Sequence, residues 1–224
     1  MKHVTFYQQL ATLPLFQGLS GNELQEVAGH TKFGFAKVEK GKAIVSENDR
    51  CDHLWFLLNG QATMETHADD HHYTIREQVL SPAILQPERL FGLTQRYSSN
   101  FLAASDCQLM SIDKQEVMRL SDRYLIFRLS LLNIISAQAQ KQARQPWRRQ
   151  PQAVADRIVR FFEQHCTRPA GEKTILIRMS DLAAEVYTTR LQVSQSLNKM
   201  QSAGLLSLSR GKILIPQLER LLGK

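Results

Sequence analysis

The residues best equipped for chemistry lie between Met179 and Pro216. Arg190, Leu191, Gln192, Ser194, Gln195, Asn198 and Lys199 share the outer face of a segment whose inner stripe is Val193, Leu197 and Met200. That three- and four-residue spacing predicts a helix from Arg190 to about Ala203. An arginine on such a face can hold guanine through O6 and N7, and a glutamine can hold adenine through N6 and N7. Leucine can touch a thymine methyl, while lysine and hydroxyl groups such as those of Ser180, Thr188 and Thr189 can take phosphates.

These side chains need elements to position them. Ser180-Asp181 reads as an N-cap with an acidic first turn, followed by the inner face Leu182, Ala183 and Val186 of a short helix. Ala183 is small where a second helix must cross closely. Tyr187-Thr188-Thr189 forms the turn, and Gly204 is placed to cap the second helix. Leu206-Ser207-Leu208 and Ile213-Leu214-Ile215 then alternate around Ser209-Arg210-Gly211-Lys212, a tight hairpin whose tip carries Arg210 and Lys212. Helix, turn, helix and hairpin together describe a winged helix-turn-helix with double-stranded DNA as its partner.

The charge distribution points the same way. The chain of 224 residues carries a net +7. Residues 141–224 hold 15 Lys/Arg against 6 Asp/Glu, a net +9, and residues 1–140 hold 13 against 15, a net −2. A basic C-terminal third behind a near-neutral remainder suggests a polyanion for one domain only.

Ahead of that domain, Asp113 opens a long helical run with no proline before Pro146. Leu125, Leu129, Leu132, Ser136 and Ala139 follow a three–four spacing along it. Such a stripe can pack against the roll or against the same helix of a second subunit; a helix of about 30 residues would be roughly 45 Å long, more than one small domain covers, which favours a dimer spine. Pro146 and Pro151 place the inter-domain hinge. From about Phe33 to Asp113 the hydrophobic period approaches two, in short β-rich runs separated by turn clusters such as Asn59-Gly60. Many short strands at near-regular spacing predict an all-β barrel or roll. Ser20-Gly21-Asn22-Glu23 has the form of a capping box before a second short helix. The fold class is therefore α+β: a β-roll (double-stranded β-helix or jelly roll) over 1–112, a dimerisation helix over 113–145, and a winged helix-turn-helix over 146–224.

Several function classes are disfavoured. No apolar run reaches the roughly 18 residues of a membrane span, and Met1–Phe6 lacks a signal-peptide core, so a cytoplasmic location without membrane contact is expected. Cys51, Cys107 and Cys166 are scattered and odd in number, which argues for reduced thiols over a disulfide framework. His67, His71 and His72 lie with Asp69-Asp70 in a turn and read as a solvated loop, with no metal site. No nucleophile–base pair has convincing spacing, so no enzyme is expected.

At this point the sequence resembles the CRP/FNR superfamily of bacterial transcription regulators over nearly its whole length. The resemblance rests on Leu13-Pro14-Leu15-Phe16-Gln17-Gly18-Leu19-Ser20, Lys40-Gly41-Lys42-Ala43-Ile44, Leu54-Trp55-Phe56-Leu57-Leu58-Asn59-Gly60, Ala155-Asp156-Arg157-Ile158-Val159, and Ile177 to Leu206. It implies a cyclic-nucleotide-binding-like roll, a homodimer reading a palindrome, and RNA polymerase as partner if the protein activates. The family's base-reading positions fall at Arg190, Leu191 and Gln195; Arg190 matches, while Leu191 replaces a glutamate and Gln195 an arginine. Tyr187 replaces the turn glycine, and a bulky residue at positive φ is strained, which suggests a turn built differently. In cyclic-nucleotide-binding members a Gly-Glu pair and an Arg-Ser pair hold ribose and phosphate. The comparable positions here are Gln86-Pro87 and Tyr97-Ser98, which argues against cyclic AMP. Gln86, Arg89, Arg96, Tyr97 and Ser98 remain the candidate pocket for an unidentified effector. The N-terminal cysteines of the iron–sulfur members are missing, so no such cluster is expected. The competing reading is a sensor module whose helix-turn-helix makes only protein contacts.

Overall fold

A computed structural model describes residues 6–223; Met1–Thr5, on which the signal-peptide reading rests, lie outside the described residues. The chain forms two compact units: 1–62 with 79–144, and 63–78 with 145–224.

The first unit opens with α1 (Phe6–Leu10) and α2 (Gly21–His30). The capping box forms as the sequence suggests: the Glu23 carboxylate accepts from the Ser20 amide at 2.7 Å, and Ser20 Oγ accepts from the Glu23 amide at 3.3 Å. The Ser20 hydroxyl and amide hold the Glu23 carboxyl below its ordinary pKa. Strands β1 (Gly34–Val38), β2 (Ala43–Val45), β3 (His53–Asn59), β4 (Gln61–His67), β5 (Tyr73–Leu80), β6 (Ala83–Leu85), β7 (Asn100–Ala103) and β8 (Cys107–Asp113) follow. One sheet has the order β1-β8-β3-β6, with Gly34 opposite Ser111 and Leu54 opposite Ile112; β2 pairs antiparallel with β7. At the β3–β4 turn Gly60 has φ +97°, and a Cβ there would lie 2.4 Å from the Asp106 carbonyl oxygen, so only glycine fits. Strands β6 and β7 were not anticipated; each has only three or four residues, too few for a period to show.

Helices α3 (Lys114–Arg123) and α4 (Leu125–Arg144) correct the expectation of one unbroken run from Asp113. The chain takes an extended conformation at Tyr124, with φ −117° and ψ 106°. Its buried ring is anchored by the hydroxyl, which donates to Glu26 at 2.9 Å, and this tie to α2 redirects the helix. The 20-residue α4 is therefore roughly 30 Å long, not 45 Å. It buries Phe127 and Leu131, the former packed on Phe16 at 5.3 Å between ring centres, while Leu125, Leu129, Leu132, Ser136 and Ala139 are all exposed.

The second unit comprises α5 (Val154–His165), β9 (Lys173–Ile177), α6 (Met179–Glu185), α7 (Arg190–Ser202), β10 (Ser207–Ser209), β11 (Lys212–Ile215) and α8 (Leu218–Leu221), together with the tip of the β4–β5 hairpin. Strand β9 is central: β11 pairs on one side and β5 on the other, with Ile75 opposite Ile175 and Glu77 opposite Lys173. Ile75 joins Ile158, Phe162, Leu182, Val193 and Leu197 in one core, with Tyr73 packed against it. On that inward face Lys173 and Glu77 are only 1% and 2% exposed. Lys173 Nζ donates to Glu77 Oε2 at 2.8 Å, and the Glu77 carboxylate also accepts from the Thr167 amide at 2.6 Å and the Arg168 amide at 3.2 Å.

Candidate nucleic-acid interface

The helix-turn-helix is built by burial on one side and polarity on the other. Leu182, Ala183 and Val186 of the α6 region pack with Val193, Leu197 and Met200 of α7. Thr189 caps α7, its Oγ1 accepting from the Gln192 amide at 3.3 Å. At the far end Gly204 adopts φ +69°, and the Leu205 amide donates to the Met200 carbonyl at 3.0 Å, a Schellman-type stop. In the wing, Ser209 pairs with Lys212 across Arg210-Gly211, and Arg210 and Lys212 are both exposed.

Two local expectations change. Helix α6 starts at Met179 with Arg178 as the capping position, so Ser180 sits inside the first turn instead of at its N-cap. Arg178 Nε donates to Asp181 at 2.7 Å and holds that carboxyl below its ordinary pKa. Ser180 remains exposed, with its hydroxyl 3.1 Å from Asp181. The turn keeps a left-handed residue despite its bulk: Tyr187 has φ +51° and is 81% exposed. Its amide donates to Ala184 at 3.1 Å and its carbonyl accepts from Arg157 at 3.0 Å, so two hydrogen bonds offset a strain of about 1–2 kcal/mol.

On the outer face of α7, Arg190, Leu191, Gln192, Gln195, Asn198 and Lys199 are exposed and Ser194 is half-buried. Gln192 is tethered, because the Thr188 hydroxyl donates to its side-chain carbonyl. That lock between the turn and the helix was not foreseen, although the i, i+4 spacing of Thr188 and Gln192 is the signal that would have found it.

In the first unit the candidate effector residues divide. Gln86 lies in left-handed conformation at φ +40°, and its side chain is fully engaged. Its Nε2 donates to Ser98 Oγ at 2.8 Å and Ser99 Oγ at 3.3 Å, while its Oε1 accepts from the Ser98 amide at 3.0 Å. Ser99, 2% exposed, was missed because nothing in its local sequence marks it. Arg96 turns away and donates to the Asn48 carbonyl at 2.6 Å. Tyr97 is buried, donating to the His53 carbonyl at 3.0 Å, and burial pushes its phenol up from the ordinary pKa. Arg89 follows Glu88 in a single 3₁₀ turn; burial raises the Glu88 carboxyl, and the buried Arg89 Nε has no hydrogen-bond partner among the described residues. Among the described residues, no group of three or more His, Cys, Asp or Glu is placed to hold a metal.

Residues 35–124 match the cyclic nucleotide-binding domain, and residues 152–223 match the Crp-like helix-turn-helix domain. The chain belongs to the CRP/FNR superfamily. This CRP/FNR chain is similar in fold to the Thermus thermophilus catabolite activator protein, at 18% identity, 93% coverage of this chain, 96% of that one, and a TM-score of 0.50. It is also similar to the sensor domain of the transcriptional regulator DNR from Pseudomonas aeruginosa, at 20% identity, 58% and 85% coverage, and a TM-score of 0.50. No curated protein sequence matches it. The CRP/FNR architecture expected from sequence, an N-terminal β domain, a long helix and a C-terminal helix-turn-helix, is the one observed. Among the described residues no helix is long and apolar enough to cross a membrane.

Proposed function

We propose that the protein is a homodimeric, sequence-specific DNA-binding transcription regulator of the cytoplasm, and not an enzyme. One observation supports it most: α7 stands on a buried stripe and turns a polar, cationic face outward beside a wing carrying Arg210 and Lys212. That pairing suits a helix in the major groove and a hairpin on the adjacent phosphates. The sensing role falls to 1–112, dimerisation to 113–145 and DNA binding to 146–224. The exposed apolar row Leu125, Leu129 and Leu132, continued by Ser136 and Ala139, has the heptad spacing of a two-helix seam. A symmetric dimer presents two recognition helices and so reads a palindrome with half-sites about 10 bp apart. An effector of unidentified chemistry acts in the roll, and RNA polymerase is the further partner if the protein activates.

Arg190 and Lys212 separate base reading from phosphate binding. Arg190→Ala is expected to cost about 1–3 kcal/mol per half-site and relax preference at one base pair, a guanine. Lys212→Ala is expected to weaken all duplexes alike and lower the salt slope by about one per subunit. Salt titrations on matched and scrambled duplexes measure both. Unchanged sequence preference in Arg190→Ala would refute the register. A second reading, a module acting through protein contacts alone, draws on the exposed Tyr187 and Leu191; salt-insensitive binding to duplexes would favour it.

A further inference from the structure

The β4–β5 turn belongs to the second unit, and the strand register fixes which end of that unit it occupies. Lys212, Leu176 and Thr74 stand opposite one another across β11, β9 and β5, and Tyr73 stands opposite Ile177. The Ile177 amide donates to the Gly211 carbonyl at 3.0 Å, and the Ala68 amide closes the turn by donating to the Tyr73 carbonyl at 3.1 Å. The turn therefore leaves the sheet at the same end as the wing tip, Arg210-Gly211, and the start of α6. Two to three strand spacings separate it from the wing, roughly 10–14 Å, or about three to four base pairs along a duplex.

The side chains at that turn are titratable. Asp69, Asp70, His71 and His72 are exposed, and His67 backs them, its ring centre 5.7 Å from that of His71 and its Nδ1 2.9 Å from Thr74 Oγ1. His72 Nδ1 lies 3.1 Å from the Asp70 carboxylate. With neutral imidazoles these five side chains carry −2, and with all three imidazoles protonated they carry +1. The wing contributes Arg210 and Lys212 nearby, and α6 contributes Glu185 and the Arg178–Asp181 pair. From α5 comes His165, 3.0 Å from the Tyr73 hydroxyl, and the hairpin itself adds the Glu65–Arg76 ion pair. Asp181 lies within electrostatic reach of His72, and Glu185 of Tyr73.

We infer that the β4–β5 turn is a further DNA-contacting surface, where protonated His71 and His72 hold a backbone phosphate. Asp69 and Asp70 oppose that contact when the imidazoles are neutral. This deepens the DNA-binding reading and rests on it. Imidazole is the side chain that gains charge between about pH 8 and pH 5, and a phosphate beside it favours the charged form. DNA binding therefore takes up protons, and affinity rises as pH falls.

The test uses full-length protein and a duplex that wild type selects. Dissociation constants would be measured at about pH 6 and about pH 8, at fixed ionic strength, for wild type, His71→Gln with His72→Gln, and Asp69→Asn with Asp70→Asn. Thermal melts at both pH values serve as folding controls. Wild type should bind roughly threefold more tightly per half-site at the lower pH, within the range of an exposed ion pair, and its salt slope should steepen by about one per subunit. The double histidine variant should lose both changes and keep the wild-type sequence preference, since α7 is untouched. The double asparagine variant should bind more tightly than wild type at the higher pH. Equal wild-type affinity at the two pH values, a histidine variant that keeps the pH dependence, or an asparagine variant that binds no more tightly overturns the inference while leaving sequence-specific binding intact. Failure to select any duplex overturns both.

Discussion

Replacing Glu77 with alanine should damage the DNA-binding unit out of proportion to the size of the change. Glu77 lies on the hairpin strand β5, yet its carboxylate serves three donors of the second unit: Lys173 Nζ, the Thr167 amide and the Arg168 amide. Removing it strands a lysine that is 1% exposed, and an uncompensated buried charge costs about 3–5 kcal/mol. The two amides also lose their acceptor, but Thr167 and Arg168 are exposed, so water recovers most of the roughly 1–3 kcal/mol each could cost. A total near 4–6 kcal/mol approaches the whole stability of a small domain, about 5–15 kcal/mol. Lys173→Met should be gentler by about 1–3 kcal/mol, because the remaining carboxylate still accepts from two amides. The assay is urea unfolding followed by circular dichroism, with hydrogen exchange resolving β5 and β9. A Glu77→Ala protein within 1 kcal/mol of wild type would refute the reasoning, as would a Lys173→Met protein that is the less stable of the two.

Three further outcomes are expected. Leu129→Asp places a charge in the exposed row of α4 and should give monomers by light scattering at micromolar concentration; a stable wild-type monomer would remove the proposed spine. Burial raises the Glu88 carboxyl in the folded state, so its ionisation opposes folding as pH rises above the unfolded value near 4.3. Glu88→Gln should therefore be more stable than wild type at pH 7 and show no advantage below pH ~4; a pH-independent difference in melting temperature would contradict that. Cyclic AMP should bind no more tightly than roughly 100 µM, because the Ser98 and Ser99 groups a phosphate would use are held by Gln86 and each lost charge-assisted bond is worth about 1.5–3 kcal/mol. A low-micromolar constant by calorimetry would overturn this.

What could be read in advance follows the range of the interactions. The helix-turn-helix was legible because its signals are local: a buried stripe at helical spacing, Thr189 at a cap, Gly204 at a stop and alternation around Arg210-Gly211. The roll was legible as a class from its turn clusters, although β6 and β7 were too short to announce themselves. The break at Tyr124 was hidden, since no proline or glycine marks it and the deciding contact is with Glu26, 98 residues away. The pairing of β5 with β9 was equally invisible. Glu77 and Lys173 look like ordinary surface charges until the register sets them opposite each other, 96 residues apart. At the candidate effector region it was the family resemblance that set Gln86 beside Ser98, and the two are hydrogen-bonded. The resemblance could not show that Arg96 would turn to Asn48, because a long side chain's rotamer depends on the loop it meets.

Selection by wild-type protein from a pool of random duplexes tests the central claim most directly. The account predicts enrichment of an inverted repeat with half-sites about one helical turn apart, each containing a guanine and at least one A·T pair, and loss of that enrichment in Arg190→Ala. Recovery of an unenriched pool at a salt concentration where the protein still binds DNA would contradict it.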